Sequence, residues 1–425
     1  MFKINNIPIA SLTFFCFIFS LVLPGKILAN QAESVYARYH ESIVQIRILE
    51  IHSGSQSSLG TGFFISDGYL MATNYHVVSS VAMKPEKYKI EIEYGGQKHH
   101  LQLLAVDAIN DLAILRSPVL GDPLQLGTQP PEKGSTLYSI GNPFDLGMTL
   151  VEGNYNGLVD NRFFDQIHFS GAINSGMSGG PTLSESGNVV GVNVASAGNQ
   201  VGFLVPVKFL SKLLDTVIAN NREPSDLFDN IRSQINLATE YMINELLNKE
   251  WPKEMIGNAQ IIGQIHDAVE CWGESDNDEE FRLNIISKGC KNQEVFYLDH
   301  SFYTGFIEYE FQYTKAENWP TSAFYKRLST HLNNARPGNS GNKDYVGNFE
   351  CYDSSVVVEK SHTKSKSVYC VRAYKKFKEL YDVLYIATTI DHNDESFLSH
   401  YTLSGVSKTN AQVFLRKFMS ELAWQ

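Results

Sequence analysis

The sequence has no excess of positive charge. Its 35 lysine and arginine residues are outnumbered by 46 aspartate and glutamate residues, which gives a formal net charge of −11. An acidic surface repels the phosphates of nucleic acids and anionic lipids, so we expect neither as a partner. Charged residues make up 19% of the chain and hydrophobic residues 43%, a balance typical of folded proteins and not of disordered ones. Since 425 residues exceed the usual size of one hydrophobic core, we expect two or more domains.

Cysteine is scarce, and the Cys-x-x-Cys spacing typical of zinc sites is missing. One of the five cysteines, Cys16, lies in an N-terminal apolar run, and the other four form two pairs with a separation of 19 positions each. An even number of cysteines in an exported protein favours disulfides, and of the three possible pairings we predict the local one, with a zinc site as the alternative. The acidic stretches ESDNDEE and DHNDES lack the glycine spacing of a calcium loop, so we predict no metal and no cofactor. The predicted disulfides are Cys271–Cys290 and Cys351–Cys370.

Residues 1–29 have the pattern of a secretory signal. Lys3 is followed by an apolar run that is broken at Pro24 and Gly25, and Ala29 is a small residue suited to cleavage. The run is slightly short for a membrane span, which needs about 20 residues. We therefore predict export to the periplasm or the cell exterior with cleavage after Ala29, and an uncleaved membrane anchor is the alternative.

The part of the chain from about residue 35 to 219 consists mostly of short β-rich runs. About ten of them, such as GTGFFIS and YLMATNY, are separated by Gly, Asp, Asn or Ser, which predicts an all-β barrel or sandwich. The helix-period segment VKFLSKLLDTVIAN closes this region, and Pro224 with Ser225 as N-cap opens a second helix. We place the first domain at residues 30–221 and a helical connector at 222–255.

The composition changes beyond Trp251, where aromatic residues become dense. Strands there mix with two helical stretches, TSAFYKRLSTHLNNA and NAQVFLRKFMSEL, so we predict a disulfide-containing α+β region at 256–425. Similar cysteine spacing suggests a duplication, with units at about 256–336 and 345–425. The aromatic density of the region at 256–425, together with its lack of a nucleophile–base pair, favours a role in docking a substrate or partner.

Three motifs supply the side chains of nucleophilic catalysis in the order His, Asp, Ser. His76 follows a strand and a small-residue turn, Asp111 directly precedes the strand LAILRS, and Ser178 lies in the turn INSGMSGGP. A serine hydroxyl needs a neighbouring base at neutral pH, which an imidazole held in one tautomer by a carboxylate provides. The backbone amides of Gly176 and Ser178 can form an oxyanion hole. Asp107 is the competing carboxylate, but no strand follows it directly.

Six successive motifs resemble the signatures of the HtrA-type trypsin-fold serine proteases. The resemblance covers about residues 35–215 and implies a double β-barrel with His76, Asp111 and Ser178 meeting in the cleft between the barrels. It also implies an exported serine endopeptidase that hydrolyses unfolded or misfolded proteins through an acyl-enzyme intermediate. A catalytically silent barrel that binds proteins or acts as a chaperone is the alternative. The six motifs are GTGFFISDGYLMATNYHVV, DLAIL, SIGNPFDLG, AINSGMSGGP, VVGVNV and GFLVPV.

Two features depart from that family. Met177 stands where the family usually has asparagine, and it cannot form the ion pair with a new N-terminus that activates digestive trypsins. No PDZ-like segment is recognisable after residue 225, so we expect another device to select substrates. If the C-terminal region is that device, a truncation after Ala219 should spare cleavage of a small ester. The sequence is compatible with a homo-oligomer.

The sequence also indicates a substrate preference. Glutamyl endopeptidases carry a histidine where this chain has Val192–Asn193, and no aspartate lies at the base of the expected pocket. We therefore predict a small aliphatic residue before the scissile bond. The residues expected to line this pocket are Ala172, Ile173, Asn174, Ser175, Asn193, Val194 and Ala195.

Overall fold

The computed structural model describes residues 31–196, 201–334, 341–357 and 363–424. The proposed signal at 1–29, including Cys16 and the cleavage point after Ala29, lies outside the described residues. Within the described ranges, no helix combines the length and the apolar character that a membrane crossing requires.

Six antiparallel strands close the first barrel, in the order β1-β2-β3-β6-β5-β4. Alternate side chains of β1, such as Ile46 and Ile48, are buried in its core, as the period of a strand dictates. A short helix, α1, precedes the barrel, and α2 lies between β3 and β4. The bounds are α1 Gln31–Tyr39, β1 Ile43–Glu50, β2 Gln56–Ile65, β3 Leu70–Thr73, α2 Tyr75–Met83, β4 Tyr88–Tyr94, β5 Gln97–Asp107 and β6 Leu112–Arg116.

A second closed barrel follows, with the strand order β10-β11-β12-β9-β8-β7. The double β-barrel expected from the sequence is therefore confirmed. The helix α3, at the predicted segment, packs against the core shared by the two barrels through Leu210 and Val217. The bounds are β7 Thr136–Gly141, β8 Thr149–Leu158, β9 Ile167–Phe169, β10 Pro181–Ser184, β11 Val189–Ser196, β12 Gly202–Pro206 and α3 Val207–Ala219.

The next helix, α4, spans Leu227–Leu247 and connects two cores. Its N-cap is Asp226, whose side chain accepts a hydrogen bond from the Asp229 amide, whereas the expected cap, Ser225, donates its hydroxyl to the Leu104 carbonyl. The carboxylate is the better acceptor for an orphan amide at a helix start, and the cap is thus one residue later than predicted. One part of α4 packs on the first barrel and the other on the C-terminal region.

The C-terminal region is built on one seven-stranded antiparallel sheet, in the order β15-β16-β19-β23-β22-β21-β20, with helices α5 and α6. This confirms the α+β region. The two units of the suggested duplication join the same sheet. The bounds are β13 Lys253–Ile256, β14 Ala259–Ile262, β15 Val269–Asp278, β16 Leu283–Asn292, β17 Phe296–Asp299, β18 Phe302–Thr304, β19 Ile307–Ala316, α5 Thr321–Asn334, β20 Glu350–Val357, β21 Lys364–Ala373, β22 Tyr381–Thr389, β23 Glu395–Val406, α6 Lys408–Glu421 and β24 Ala423–Trp424.

Each predicted cysteine pair joins the two strands of a hairpin. Cys271 lies opposite Cys290 in β15–β16, and Cys351 lies opposite Cys370 in β20–β21, with S–S distances of 2.10 and 2.05 Å. No group of three or more His, Cys, Asp or Glu side chains in the described part of the chain is placed to hold a metal.

The first barrel and the C-terminal region share one hydrophobic core. Leu298 and Phe302, from the hairpin β17–β18, pack into the same cluster as residues of α2 and the barrel strands. The Tyr75 hydroxyl, at the start of α2, donates to the Leu298 carbonyl over 2.9 Å. The C-terminal region therefore contributes to the core of the first barrel, and a truncation after Ala219 would uncover that core.

Candidate active site

His76 and Asp111 are held together by two hydrogen bonds. His76 is the second residue of α2, directly after β3, and Asp111 lies in the turn between β5 and β6 with a left-handed φ of 54°. Asp111 Oδ2 lies 2.6 Å from His76 Nδ1, and Asp111 Oδ1 accepts the backbone amide of His76 over 2.8 Å. Because the carboxylate accepts a hydrogen bond from Nδ1–H, the Nε2 atom is left as the basic nitrogen.

Opposing effects act on the pKa of His76. Burial favours the neutral ring and lowers the pKa, but the charge of Asp111 and its hydrogen bond favour the imidazolium. The two Asp111 effects prevail and raise the pKa above the ordinary value of 6.5.

The competing carboxylate, Asp107, has a local structural role. Its Oδ1 accepts the amides of Ile109 and Asn110, and its Oδ2 accepts the Asn110 side chain. These bonds cap the turn that presents Asp111. Asp107 therefore bonds within its own turn, whereas Asp111 bonds to the His76 ring.

Ser178 stands on a turn that requires glycine at two positions. Gly176 has a φ of 95° and Gly179 a φ of 84°, conformations that other residues rarely adopt. A Cβ atom on Gly176 would lie 2.3 Å from the Asn142 carbonyl oxygen, and one on Gly179 would lie 2.3 Å from the Thr61 carbonyl oxygen. The turn is thus closely packed against the first and second barrels and is not a loose loop.

Among the described residues, neither the Gly176 amide nor the Ser178 amide donates a hydrogen bond. The neighbouring amides are satisfied, because Met177 donates to the Asn174 carbonyl and Gly179 donates to the Asn193 carbonyl. Gly176 and Ser178 are the two residues whose amides we expect, from the sequence, to form an oxyanion hole.

The Ser178 hydroxyl donates to the Val194 carbonyl of β11 over 3.1 Å. Within the described ranges, no hydrogen bond joins it to His76. Rotation of the hydroxyl about the Cα–Cβ bond changes its partner without a change in the backbone, and apo enzymes often lack aligned catalytic hydrogen bonds. In this structure the Ser178 hydroxyl is therefore paired with Val194 and not with the His76 imidazole.

Some expected pocket residues face inward. Ile173 and Met177 are buried in the core of the second barrel. The Asn193 side chain is also buried, accepting from the hydroxyls of Ser139 and Thr182 and donating to the Met177 carbonyl. The side chains of Ile173 and Asn193 therefore support the serine turn from inside the barrel and do not line an open pocket.

The other expected pocket residues lie at the surface or in β11. Asn174 and Ser175 are exposed, and Ala172 and Val194 are half-buried, while Ala195 belongs to β11. Ser175 is held through its backbone, because its carbonyl accepts the Phe144 amide.

Sequence reasoning missed Thr61, a buried residue of β2. Its hydroxyl donates to the Gly176 carbonyl over 2.7 Å and accepts the Asn142 amide over 3.1 Å, and its own amide donates to the Ser178 carbonyl. It thereby fixes the peptide groups around the free amides. A hydroxyl between two glycines, directly before the apolar end FFI of this strand, was the available signal.

Comparison with known proteins agrees with this geometry. Residues 60–192 match the family model described as a trypsin-like peptidase domain. This stretch is therefore similar to trypsin-like peptidase domains, and it includes most strands of the two barrels. The match includes the three motifs that carry His76, Asp111 and Ser178. The matched stretch contains every residue of the candidate site described so far except those of β11 beyond residue 192.

Two curated relatives are similar to part of this chain, and both are named probable periplasmic serine endoprotease DegP-like. The protein of Chlamydia muridarum (strain MoPn / Nigg) is 32% identical over 178 residues, covering 38% of this chain and 34% of the relative. That of Rhizobium meliloti (strain 1021) is 33% identical over 172 residues, covering 37% and 33%. The chain thus spans about a third of the length of the curated relatives it matches. Among solved structures, the serine endoprotease from Yersinia pestis is 23% identical with a TM-score of 0.39, covering 45% of this chain and 67% of that one.

Proposed function

We propose that this protein is an exported serine endopeptidase that hydrolyses peptide bonds of unfolded or misfolded proteins. The observation that carries the proposal is the combination of a carboxylate-held imidazole, His76 with Asp111, and two free amides on the turn of Ser178. These are the base, the orienting group, the nucleophile and the oxyanion donors of acyl transfer.

In the proposed mechanism, the Ser178 hydroxyl turns from Val194 towards His76 and attacks the peptide carbonyl. His76 Nε2 accepts the hydroxyl proton, and the amides of Gly176 and Ser178 hold the oxyanion. His76 then returns the proton to the leaving amine, which departs and leaves an acyl-enzyme. Water, activated by the same imidazole, hydrolyses the ester.

The shape of β11 supports an extended, unfolded substrate. β10 pairs with β11 from Val189 to Val192, and Asn193 continues this contact with Gly180. Beyond Asn193, the described part of β11 has no strand partner on the side of Ser178. Such an edge accepts an extended peptide as an added strand. The preference for a small aliphatic residue before the scissile bond belongs to this proposal.

Export is supported by two observations. The two relatives are named as periplasmic endoproteases. The C-terminal region also carries two disulfides, which persist in oxidising compartments.

A fluorophosphonate probe tests the proposal, because it reacts only with an activated serine. The wild-type protein should be labelled, and the Ser178→Ala variant should not. Mass spectrometry of products from an unfolded protein would then show cleavage and the residue before each cut. Absence of labelling in folded wild-type protein would contradict the proposal.

A catalytically silent binding or chaperone protein is the second candidate. The observation that favours it is the hydrogen bond of Ser178 Oγ to Val194 in place of His76. Suppression of the aggregation of an unfolded protein by both wild type and Ser178→Ala, without labelling or cleavage, would support this function.

A further inference from the structure

A cleft of about 470 Å³ adjoins His76 and Asp111 on the side of the C-terminal region. This volume falls within the range of about 300–1,000 Å³ that is usual for ligand pockets. Three of its walls belong to the barrels: the turn at 108–111, the segment at 162–166 and part of β11 and β12. The fourth wall consists of Gln293–Val295, Phe296, Tyr297 and Tyr303, which precede or belong to β17 and β18.

Tyr297 is the residue of this fourth wall that reaches the catalytic pair. Its ring meets the His76 imidazole edge-on, with centroids 6.1 Å apart and planes at 76°. Tyr303 packs edge-on against the other side of Tyr297, with centroids 5.3 Å apart. Burial raises the pKa of Tyr297 to about 12, so the ring remains a neutral phenol at physiological pH. The wall beside His76 is therefore aromatic and uncharged.

Glu294 ties the opposite wall to the same segment. Its Oε1 accepts the amides of Phe163 and Phe164 over 2.6 and 3.1 Å. The Phe164 ring packs edge-on against Phe296, with centroids 5.6 Å apart. The C-terminal region thus supplies one wall of the cleft and also fixes the position of the wall that faces it.

The side chains facing the cleft indicate what it accepts. Ile109, Phe164, Tyr297 and Tyr303 are only partly buried, so their apolar surfaces still contact solvent in the cleft. We call these four residues the aromatic subsite. Glu294 Oε1 accepts two backbone amides, whereas Oε2 is buried without a hydrogen-bond partner in the described part of the chain, and burial raises the pKa of this carboxyl. Apolar contact is therefore the main interaction that the aromatic subsite offers.

We propose that the aromatic subsite binds a bulky apolar side chain of the substrate within three residues of the scissile bond, with Tyr297 as its specificity-determining residue. The occupant is a segment of an unfolded protein, because the cleft is continuous with the base His76 and with β11 beside Ser178. The inference rests on the proposed function of the same site. It assigns to the C-terminal region a part of substrate recognition that residues 60–192 do not contain.

The test uses the full-length protein and a peptide pool randomised at three positions on each side of a fixed small aliphatic residue. Cleavage products are identified by mass spectrometry, and kcat and KM are then measured for a peptide pair with Phe or Ala at the selected position. Wild type should prefer Phe at one position. Tyr297→Ala should reduce the Phe-to-Ala ratio of kcat/KM at least tenfold, mainly through KM for the Phe peptide, and Tyr297→Phe should retain it.

Tyr352→Ala is the matched control, because Tyr352 lies in β20 with 64% of its surface exposed and outside the cleft. The Phe-to-Ala ratio of kcat/KM for Tyr352→Ala should equal that of wild type. Fluorophosphonate labelling confirms a folded site in each variant. If Tyr297→Ala is not labelled, Tyr303→Ala, at the outer side of the aromatic subsite, should show the same loss of selectivity.

The outcomes separate the two proposals. If wild type is neither labelled nor active, the proposed function fails and this inference fails with it. If wild type is active but folded Tyr297→Ala and Tyr303→Ala keep the Phe-to-Ala ratio within twofold, the endopeptidase stands and the aromatic subsite is refuted.

Discussion

Replacing Gly176 with alanine should disable the oxyanion hole without unfolding the protein. Gly176 has a φ of 95°, and the added Cβ would lie 2.3 Å from the Asn142 carbonyl oxygen, closer than real contacts allow. The strained backbone alone costs about 1–3 kcal/mol of stability. Relief of the clash requires the peptide group to move, which removes one oxyanion donor. Loss of one donor typically reduces kcat by about 10²–10³-fold, or about 2.7–4 kcal/mol.

Gly134 provides a matched control for this substitution. Its φ is 96°, but no atom lies within 4 Å of its would-be Cβ, and it is exposed in the loop before β7. Gly134→Ala should therefore carry the same backbone strain while leaving kcat unchanged. Hydrolysis of a small peptide ester gives kcat, and thermal unfolding gives the stability of both variants. A folded Gly176→Ala with kcat within twofold of Gly134→Ala would refute the assignment of the free amides.

Three other predictions concern pH, the C-terminal region and a disulfide. The neutral imidazole of His76 is lost as the pH falls through its raised pKa, so kcat/KM should decrease at low pH with an inflection above pH 6.5. Asp111→Asn should move that inflection to lower pH and reduce kcat about 10⁴-fold. Truncation after Ala219 uncovers α2 and should abolish both ester hydrolysis and fluorophosphonate labelling. A labelled fragment would show that the site does not depend on the shared core. Replacing Cys351 and Cys370 with serine should lower the free energy of unfolding in urea by about 3 kcal/mol and leave ester hydrolysis unchanged.

The sequence predicts the double barrel well because the relevant signals are local. Strands with period-2 burial, turn residues between them and the glycines around Ser178 each reflect the conformation of a few neighbouring residues. The two disulfides were predictable for a similar reason, since each joins facing strands of one hairpin. Fold class and cysteine pairing therefore follow from short-range patterns.

The side-chain environment was harder to predict because it depends on contacts far apart in the sequence. Asn193 is a plausible pocket residue from its position after the glycines, yet hydrogen bonds from Ser139 and Thr182 hold its side chain inside the barrel. Nothing near Tyr297 indicates that its ring meets His76, 221 positions earlier. No local period or motif encodes such a meeting, which arises only when the hairpin β17–β18 packs on α2.

The C-terminal region contacts the candidate site at two adjacent residues of α2. Tyr75 and His76 are consecutive residues at the start of α2, where the buried Tyr75 hydroxyl bonds to Leu298 of β17. A displacement of β17 thus acts on the peptide group adjacent to the base. Tyr297, the neighbour of Leu298, contacts the imidazole itself. Tyr297 and Leu298 of β17 thus contact His76 and Tyr75 of α2. The position of β17 therefore constrains both the backbone and the ring of His76. The C-terminal region is in this sense a structural part of the site.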